Sequence, residues 1–501
     1  MGLLCVALGG SFCRPQPKSP SPMVVSLPYD LDSLEPGRRD RLSDFAVLSN
    51  LYEPLVTTDA RLRLQPALAD RWENPDEKTW VFHLRPGVRF HDGRLVTPRD
   101  VAFSFQRLAA KEELEARRHV AVLVNAEALD ETRVMLRTET PMADFLNRVR
   151  FIHILPLDST KEELERRPNG TGPYRFVRYD RKEIEVVRNA SYWGPAPALE
   201  RAVIRLNRNA DDALADVLSG QSAFAQTNSF AALRAAESRP ELSVVRGMSI
   251  AVKTLFFDVS RERNPHVGGG KNPFRDPRVR EAVNLALDRR RLVGELPVPA
   301  LPMTQLVPPF IFGYDADLPP PAADPARARA LLEAAGWPSG FDVTLHTRSL
   351  LLDGATAIRT LLRDAGIRVT IQPLEEREFF QATDPEHRDF ALALTRFGCP
   401  TGDAANFFDA AIHSTDTARG FGRVNAGGYE SPEVDRLIEV SGRTLDPTLR
   451  LPLLKKVMRI AMQDLPWIPL YLDQDVYLFR AGTTWTPRLD NYALLAEISV
   501  R

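Results

Sequence analysis

Hydrophobic and polar positions alternate most clearly between Thr79 and Leu108. Trp80, Phe82 and Leu84 are interleaved with Val81 and His83, which predicts a strand with at least one buried face. Arg85-Pro86-Gly87 supplies a turn, because proline fixes φ and glycine takes positive φ without strain. Val88 and Phe90 predict a second strand, and His91-Asp92-Gly93 turns the chain again. Thr97 is placed to cap a helix, with Pro98 at the first turn, where its missing N–H costs nothing, and Asp100 near the positive helix end. Val101, Phe105 and Leu108 follow at i, i+4 and i+7, so one helical face is apolar.

The same logic extends along the chain. Met23-Val-Val-Ser-Leu27 reads as a strand, and Leu68 and Trp72 stand at helical spacing, with Trp72 a core residue. The charge runs KEELEARRH and KEELERR between 111 and 167 read as solvated helix faces. Asn169-Gly-Thr-Gly-Pro173 reads as a turn feeding a strand from Tyr174 to Tyr179, and 210–226 as a helical stretch leading into Ser219-Gly220. Leu255 to Asp258 is an apolar strand. Asp276-Pro277 and Asp324-Pro325 start helices, the second stopped by Gly336, and Ser431-Pro432 starts another. Strands at Phe341–Leu345, Ile367–Ile371 and Phe390–Leu394 alternate with helical segments, which predicts a βαβ lobe.

Composition narrows the class. The 501 residues are enough for about three domains with sizeable cores. A net charge of −1 gives no general attraction to nucleic acid or an anionic membrane. No internal apolar run reaches the roughly 20 residues that span a bilayer. The first 22 residues differ: an apolar run from Gly2 to Phe12 ends at Cys13, and RPQPKSPSP follows as a tether. This resembles a bacterial lipoprotein signal with Cys13 as the lipidation candidate, although no basic residue precedes the run and Phe12 stands where a small residue is expected. Cys399 is then the one remaining cysteine, so no intrachain disulfide is expected.

The Thr79–Leu108 stretch resembles the signature of the family 5 extracellular solute-binding proteins, the peptide- and nickel-binding components of bacterial ABC importers. Further motifs occur in the family's order: Leu51-Tyr-Glu-Pro-Leu55, which the family places at a helix end, Pro66-Ala-Leu-Ala-Asp-Arg-Trp72, Gly170-Thr-Gly-Pro-Tyr174, Ser191-Tyr-Trp-Gly194, Asp276-Pro-Arg-Val-Arg280 and Pro466-Trp-Ile-Pro-Leu-Tyr471. The resemblance implies an α/β, two-lobed periplasmic-binding-protein-like fold of type II, with an extra subdomain in the first lobe. It places lobe I at about 23–254 plus 470–501, with the subdomain near 52–167, and lobe II at about 255–469. It implies an exported monomer, at the periplasm or the outer face of the cytoplasmic membrane. Such a protein captures a peptide or peptide-like solute between its lobes and passes it to the permease subunits of an ABC importer. No cofactor, metal or nucleic-acid partner is implied, and the membrane is touched only through a possible lipid anchor.

Enzyme signals are weak by comparison. The eight histidines are scattered without metal-ligand spacing. Gly247-Met-Ser249-Ile-Ala251 breaks the nucleophile-elbow pattern at its last position. His91-Asp92 reads as a turn in preference to a catalytic pair. An enzyme on the same scaffold and a cytoplasmic ligand sensor are the alternatives from other classes.

The resemblance points the opening segment (Leu27, Pro28, Tyr29) and a late loop (Arg396, Phe397, Pro400, Thr401, Asp403, Asn406) at the cleft, with Arg348 and Asn425 as further candidates. Peptide-binding members resemble GWxxDxxDPDNFF here, and their first Asp meets the ligand's ammonium. Aligned on Asn406-Phe407-Phe408, Phe397 takes the Trp slot, Asp403 the second Asp slot and Pro400 the first. Proline cannot neutralise an ammonium, and a buried unpaired cation is costly. With Arg396 and Arg348 at the cleft, an acidic or neutral solute is favoured over a free amine, and a non-peptide solute is the alternative ligand.

Overall fold

A computed structural model describes residues 22–207, 209–227 and 230–500. Cys13 and the apolar run before it lie outside the described residues. Ten strands lie side by side in one mixed sheet. Their order is Ile367–Leu374, Phe341–Arg348, Leu392–Gly398, Leu242–Phe257, Trp467–Arg480, Phe224–Thr227, Met23–Leu27, Arg201–Leu206, Glu183–Arg188 and Tyr174–Tyr179. An eleventh, Ala300–Pro302, pairs with Trp467–Arg480. At one end Phe341–Arg348 runs parallel to both its neighbours, and the helix Leu352–Asp364 makes the crossover to Ile367–Leu374. That is the predicted βαβ arrangement.

Two strands carry the sheet from one end to the other. Leu242–Phe257 and Trp467–Arg480 pair antiparallel from Leu242 opposite Arg480 to Phe256 opposite Trp467, with register shifts on either side of Val252-Lys253. Leu255, Phe257, Ile468 and Leu470 are buried in one core with Phe341, Leu345 and the helix residues Ile358 and Leu361. Tyr477 and Phe479, further along the same strand, are buried in another core with Val25, Leu27, Tyr174 and Ile184. Each buried side chain of this size contributes about 1.5–3 kcal/mol, so each end of the sheet is held by its own apolar set.

A separate four-stranded antiparallel sheet has the order Ala69–Asp76, Thr79–Leu84, Arg133–Thr138, Leu123–Ala128. The helix Pro98–Ala110 covers it with Val101, Phe105 and Leu108 against Phe82, Val134 and Leu136. Its start is as predicted: the fully buried Asp100 accepts from the Thr97 N–H (2.8 Å), the Thr97 hydroxyl (2.7 Å) and the Leu157 N–H (2.7 Å). Asp276 and Asp324 likewise accept from Arg278 N–H and Arg327 N–H, both at 2.9 Å. Ser431 precedes the helix Pro432–Arg443 but makes no side-chain cap bond.

Several local expectations change. Leu68 and Trp72 share no helix: Leu68 is buried at a bend, and Trp72 lies in the strand Ala69–Asp76, half-buried opposite Phe82. Val88 and Phe90 are buried in a tight loop, since Phe90 N–H already bonds Arg94 O (2.8 Å) and leaves no length for a strand. The helix from Ala210 ends at Ser219, with Gly220 at φ 83°, and Gln226 lies in the strand Phe224–Thr227. The helix before Leu51 stops at Leu48, so Leu51–Leu55 is buried but not helical. KEELEARRH is only partly solvated: Leu114, Ala116 and His119 are buried, and His119 stacks on Phe151 at 4.6 Å. KEELERR behaves as read, burying Leu164 alone in the helix Lys161–Arg166. The strand predicted from Phe390 runs instead from Leu392 to Gly398. The expected lobe boundaries at 254/255 and 469/470 fall inside the two long strands.

The glycines after Asn169 have a packing reason. A Cβ on Gly170 would lie 2.0 Å from the backbone oxygen of Leu51, and neither backbone can yield cheaply. Gly170→Ala is therefore expected to lower unfolding stability by about 2–3 kcal/mol, read in urea unfolding.

Candidate ligand-binding site

The apolar pattern of the two long strands breaks where they pass from one core to the other. Lys253 stands in the middle of an apolar run, in register with Arg396 on one side and Tyr471 on the other. Its ammonium is buried and pairs with the carboxylate of Asp473. Burial lowers the lysine's pKa, and the Asp473 charge opposes that shift. Two residues on, Asp475 keeps one buried oxygen, Oδ2, without a partner among the described residues. Burial pushes its pKa up to about 6, with Lys253 pulling the other way and Asp473 adding to the rise. Asn491 hydrogen-bonds this carboxylate. Tyr29 closes the group by donating its hydroxyl to Gln226 Oε1 at 2.7 Å, and burial beside Asp475 raises its pKa.

The opening segment thus reaches the crossing through Tyr29, whereas Leu27 is buried in the apolar core and Pro28 is half-buried. Arg396 is exposed on the strand Leu392–Gly398. Arg348 is the last residue of its strand, not part of a following loop. It is buried, its Nε has no partner among the described residues, its Nη1 lies 3.8 Å from Glu376, and its guanidinium sits 5.6 Å from the Phe380 ring. Burial and the Arg396 charge both lower its pKa, so the two cations feel each other.

The late loop is organised differently. Phe397 packs edge-on against Phe407 at 4.8 Å. Asp403 is buried and takes both ends of the Arg450 guanidinium, one at 3.0 Å, while also accepting from Ala405 N–H at 2.9 Å. Its carboxylate is a loop anchor with no oxygen left for a ligand ammonium. Asn425 is likewise spent: its amide donates to His413 O (3.0 Å) and Tyr429 O (2.7 Å), and its oxygen accepts Tyr429 N–H (3.0 Å). Asp403 thus ties Arg450 and Ala405, and Asn425 ties local backbone. Asn406 is half-buried. Pro400 and Thr401 present their carbonyls to the helix Phe145–Val149 and the residue after it: Asn147 donates to Thr401 O at 2.7 Å, and Arg150 donates to Pro400 O.

Four residues of this geometry escaped the sequence reading: Lys253, Asp473, Asp475 and Arg150. The first three had a legible signal, since charges inside strands that are otherwise apolar require partners. Arg150 had none. His91 is settled as a turn residue, because Gly170 N–H donates to Nδ1 (3.3 Å), Nε2 meets Gly172 O (3.1 Å), and burial lowers its pKa to about 4. Among the described residues, no group of three or more His, Cys, Asp or Glu side chains is arranged to hold a metal, and no helix is long and apolar enough to cross a membrane.

This arrangement is that of a solute receptor. The family described as bacterial extracellular solute-binding proteins, family 5 middle, matches residues 63–419, and the chain belongs to it. The glutathione-binding protein GsiB of Escherichia coli (strain K12) is 26% identical over 473 residues, covering 90% of this chain and 89% of that one. The periplasmic binding protein DppA of Helicobacter pylori, solved with the peptide STSA, superposes with a TM-score of 0.77 at 25% identity, over 96% of this chain and 98% of that one. AgaA of A. tumefaciens R10, solved with agropinic acid, superposes with a TM-score of 0.76 at 21% identity, over 96% and 99%. The fold is the two-lobed α/β fold of these binding proteins. The relatives matched are binding proteins, not enzymes.

The buried carboxyl at the crossing gives a pH signature. A folded pKa near 6, above the ordinary value of 3.8, means that the native state holds the proton more tightly. Its contribution to stability is therefore present below about pH 4 and lost as pH rises toward 6. Asp475→Asn is expected to be more stable than the parent by about 1–3 kcal/mol at pH 7, with the difference gone by pH 4. Unfolding curves at the two pH values measure it.

Proposed function

We propose that this chain is the extracytoplasmic receptor of an ABC importer, capturing a peptide-like solute with an acidic group and handing it to membrane permease subunits. The lobes are taken as 23–254 plus 470–501 and 255–469, with a subdomain near 52–167, and the chain works as a monomer without catalysis. Cys13 is its lipidation point on the outer face of the cytoplasmic membrane.

The observation that carries the ligand class is the fate of the charges. The late loop offers no free carboxylate, because Pro400 has none and Asp403 is consumed by Arg450. Among the described residues, Arg348 and Arg396, by contrast, have no hydrogen-bonded carboxylate of their own. A site with spare cations selects an acid group, and a guanidinium does so directionally. The likeness to a glutathione-binding protein and to a receptor solved with STSA supports a short peptide or peptide-like solute. The second reading, a non-peptide anionic solute, draws on the same arginines, and AgaA with agropinic acid shares the fold.

Mass spectrometry of small molecules released on denaturing gently purified protein tests both. Short acidic or neutral peptides fit the first reading, and one anionic non-peptide species fits the second. Solutes whose only charge is an ammonium would overturn the assignment to an acid group. The double substitution Arg348→Ala, Arg396→Ala is expected to weaken binding of the released solute about tenfold or more, read by calorimetric titration.

A further inference from the structure

The subdomain and the second lobe each pack one apolar side chain against the other's core. The hairpin of Val56–Thr58 and Leu64–Pro66 carries Leu62 at its tip. The Asp59 carboxylate shapes that tip by accepting from Arg61 N–H (2.9 Å) and Arg63 N–H (3.0 Å). Leu62 there takes φ 63°, a left-handed conformation that strains a residue with a Cβ. Its side chain is buried, yet not in the core of the four-stranded sheet: it joins Leu306, Phe407, Phe408 and Val457. In return, Leu445, between the helices Pro432–Arg443 and Pro447–Asp464, packs against the core of the four-stranded sheet.

Polar contacts flank this exchange. Ala143 N–H donates to Gly442 O at 2.8 Å, Asn147 Nδ2 to Thr401 O at 2.7 Å, and Arg150 to the Pro400 carbonyl. Arg148, held by Asp144 at 2.8 Å, lies 3.7 Å from Asp409. The acceptors of the three hydrogen bonds are backbone carbonyls, so the bonds fix the course of the loops that carry them. The contact has two distinct states. Parted, Leu62 would keep its strain and lose the burial that offsets it, and three donors would exchange carbonyls for water.

We propose that this contact is the closing latch of the receptor, in which Leu62 and the segment 143–150 hold the late loop in place and so set the solute's affinity. This rests on the reading of the chain as a solute receptor, with its lobes and subdomain bounded as above. Only the closed arrangement makes these contacts, so they raise the closed fraction, and apparent affinity scales with that fraction. Leu62 and Asn147 are thus positioning residues. They act through Pro400, Thr401 and their neighbours, whereas Arg348 and Arg396 are the residues assigned to the acid group.

Amide hydrogen exchange on the full chain reads the latch without a ligand. The Ala143 amide is expected to exchange about tenfold faster in Leu62→Gly, which relieves the strain but removes the side chain. Leu62→Met, which keeps an apolar side chain, should exchange as the parent does. Leu445→Ser should reproduce the effect of Leu62→Gly from the other side of the contact. Amides of the strand Thr79–Leu84, which is paired on both sides, should stay protected throughout. Unchanged exchange at Ala143 in a variant that keeps this strand protected overturns the latch. Loss of protection in the strand in both Leu62→Gly and Leu445→Ser overturns it too, since both residues would then belong to the subdomain's own core. Mass spectrometry of the small molecules carried by gently purified protein tests the consequence. Leu62→Gly and Asn147→Ala are each expected to carry about fivefold less than the parent. Equal loading of all three overturns the proposal and leaves the receptor reading standing. If the parent carries no small molecule, the receptor reading falls, and exchange at Ala143 alone decides whether the two parts latch.

Discussion

The ion pair between the buried Lys253 and the half-buried Asp473 is the constraint around which the two ends of this molecule are arranged. It sits in the paired strands Leu242–Phe257 and Trp467–Arg480, at the middle of the main sheet between the two cores. Apolar residues on either side of it commit to different cores, Leu255 and Ile468 to one, Tyr477 and Phe479 to the other. Between them the strands can neither be wholly apolar, which would fuse the two cores, nor carry a lone charge, which burial forbids. A pair of opposite charges satisfies both demands. The register shifts beside Lys253 fall at the same place, so the ladder is least regular where the side chains are most polar.

That break in the apolar pattern also decides where a ligand can be read. A continuous core would present no polar groups at the centre of the sheet. Here Asp475, Tyr29, Gln226 and Asn491 gather beside the pair, and Arg396 stands on the neighbouring strand opposite Lys253. The scaffold thus places directed polar groups on rigid strands, where a site keeps its geometry better than on loops. The late loop contributes shape more than charge, since Asp403 and Asn425 have their hydrogen bonds committed to Arg450 and to local backbone.

The fold was legible wherever local chemistry and periodicity agreed. Asp100, Asp276 and Asp324 cap the helices that their Pro-containing starts announced, and Phe341–Arg348 with Ile367–Leu374 forms the parallel pair that alternation announced. Misreadings came where a helical spacing straddled a bend and a strand, as at Leu68 and Trp72, or where a turn consumed the length a strand needed, as at Val88 and Phe90. The site was less legible for a different reason. Its partners are distant in sequence: Lys253 meets Asp473, Asp403 meets Arg450, and Arg150 meets Pro400. A sequence shows that a charge is present in an apolar strand; it does not show which distant residue neutralises it.

That distinction separates scaffold from recognition in this chain. Asp403 with Arg450 and Arg488 with Asp490 are buried pairs of high directional quality, the first closing the late loop onto the helix Pro447–Asp464 and the second local to the C-terminal segment. Removing either partner would strand a charge, so such pairs resist change and carry little information about a ligand. Arg348, Arg396 and Arg150 are charges that the fold positions without bonding a carboxylate to them. For Arg348 and Arg150, which are buried, holding the charge without a hydrogen-bonded anion is unfavourable in the free protein, whereas the exposed Arg396 is solvated. A receptor that closes on its solute depends on this difference between states, because contacts equal in the empty and filled forms shift no equilibrium. On the proposed reading, the cations without a bonded carboxylate, not the satisfied pairs, would distinguish one solute from another.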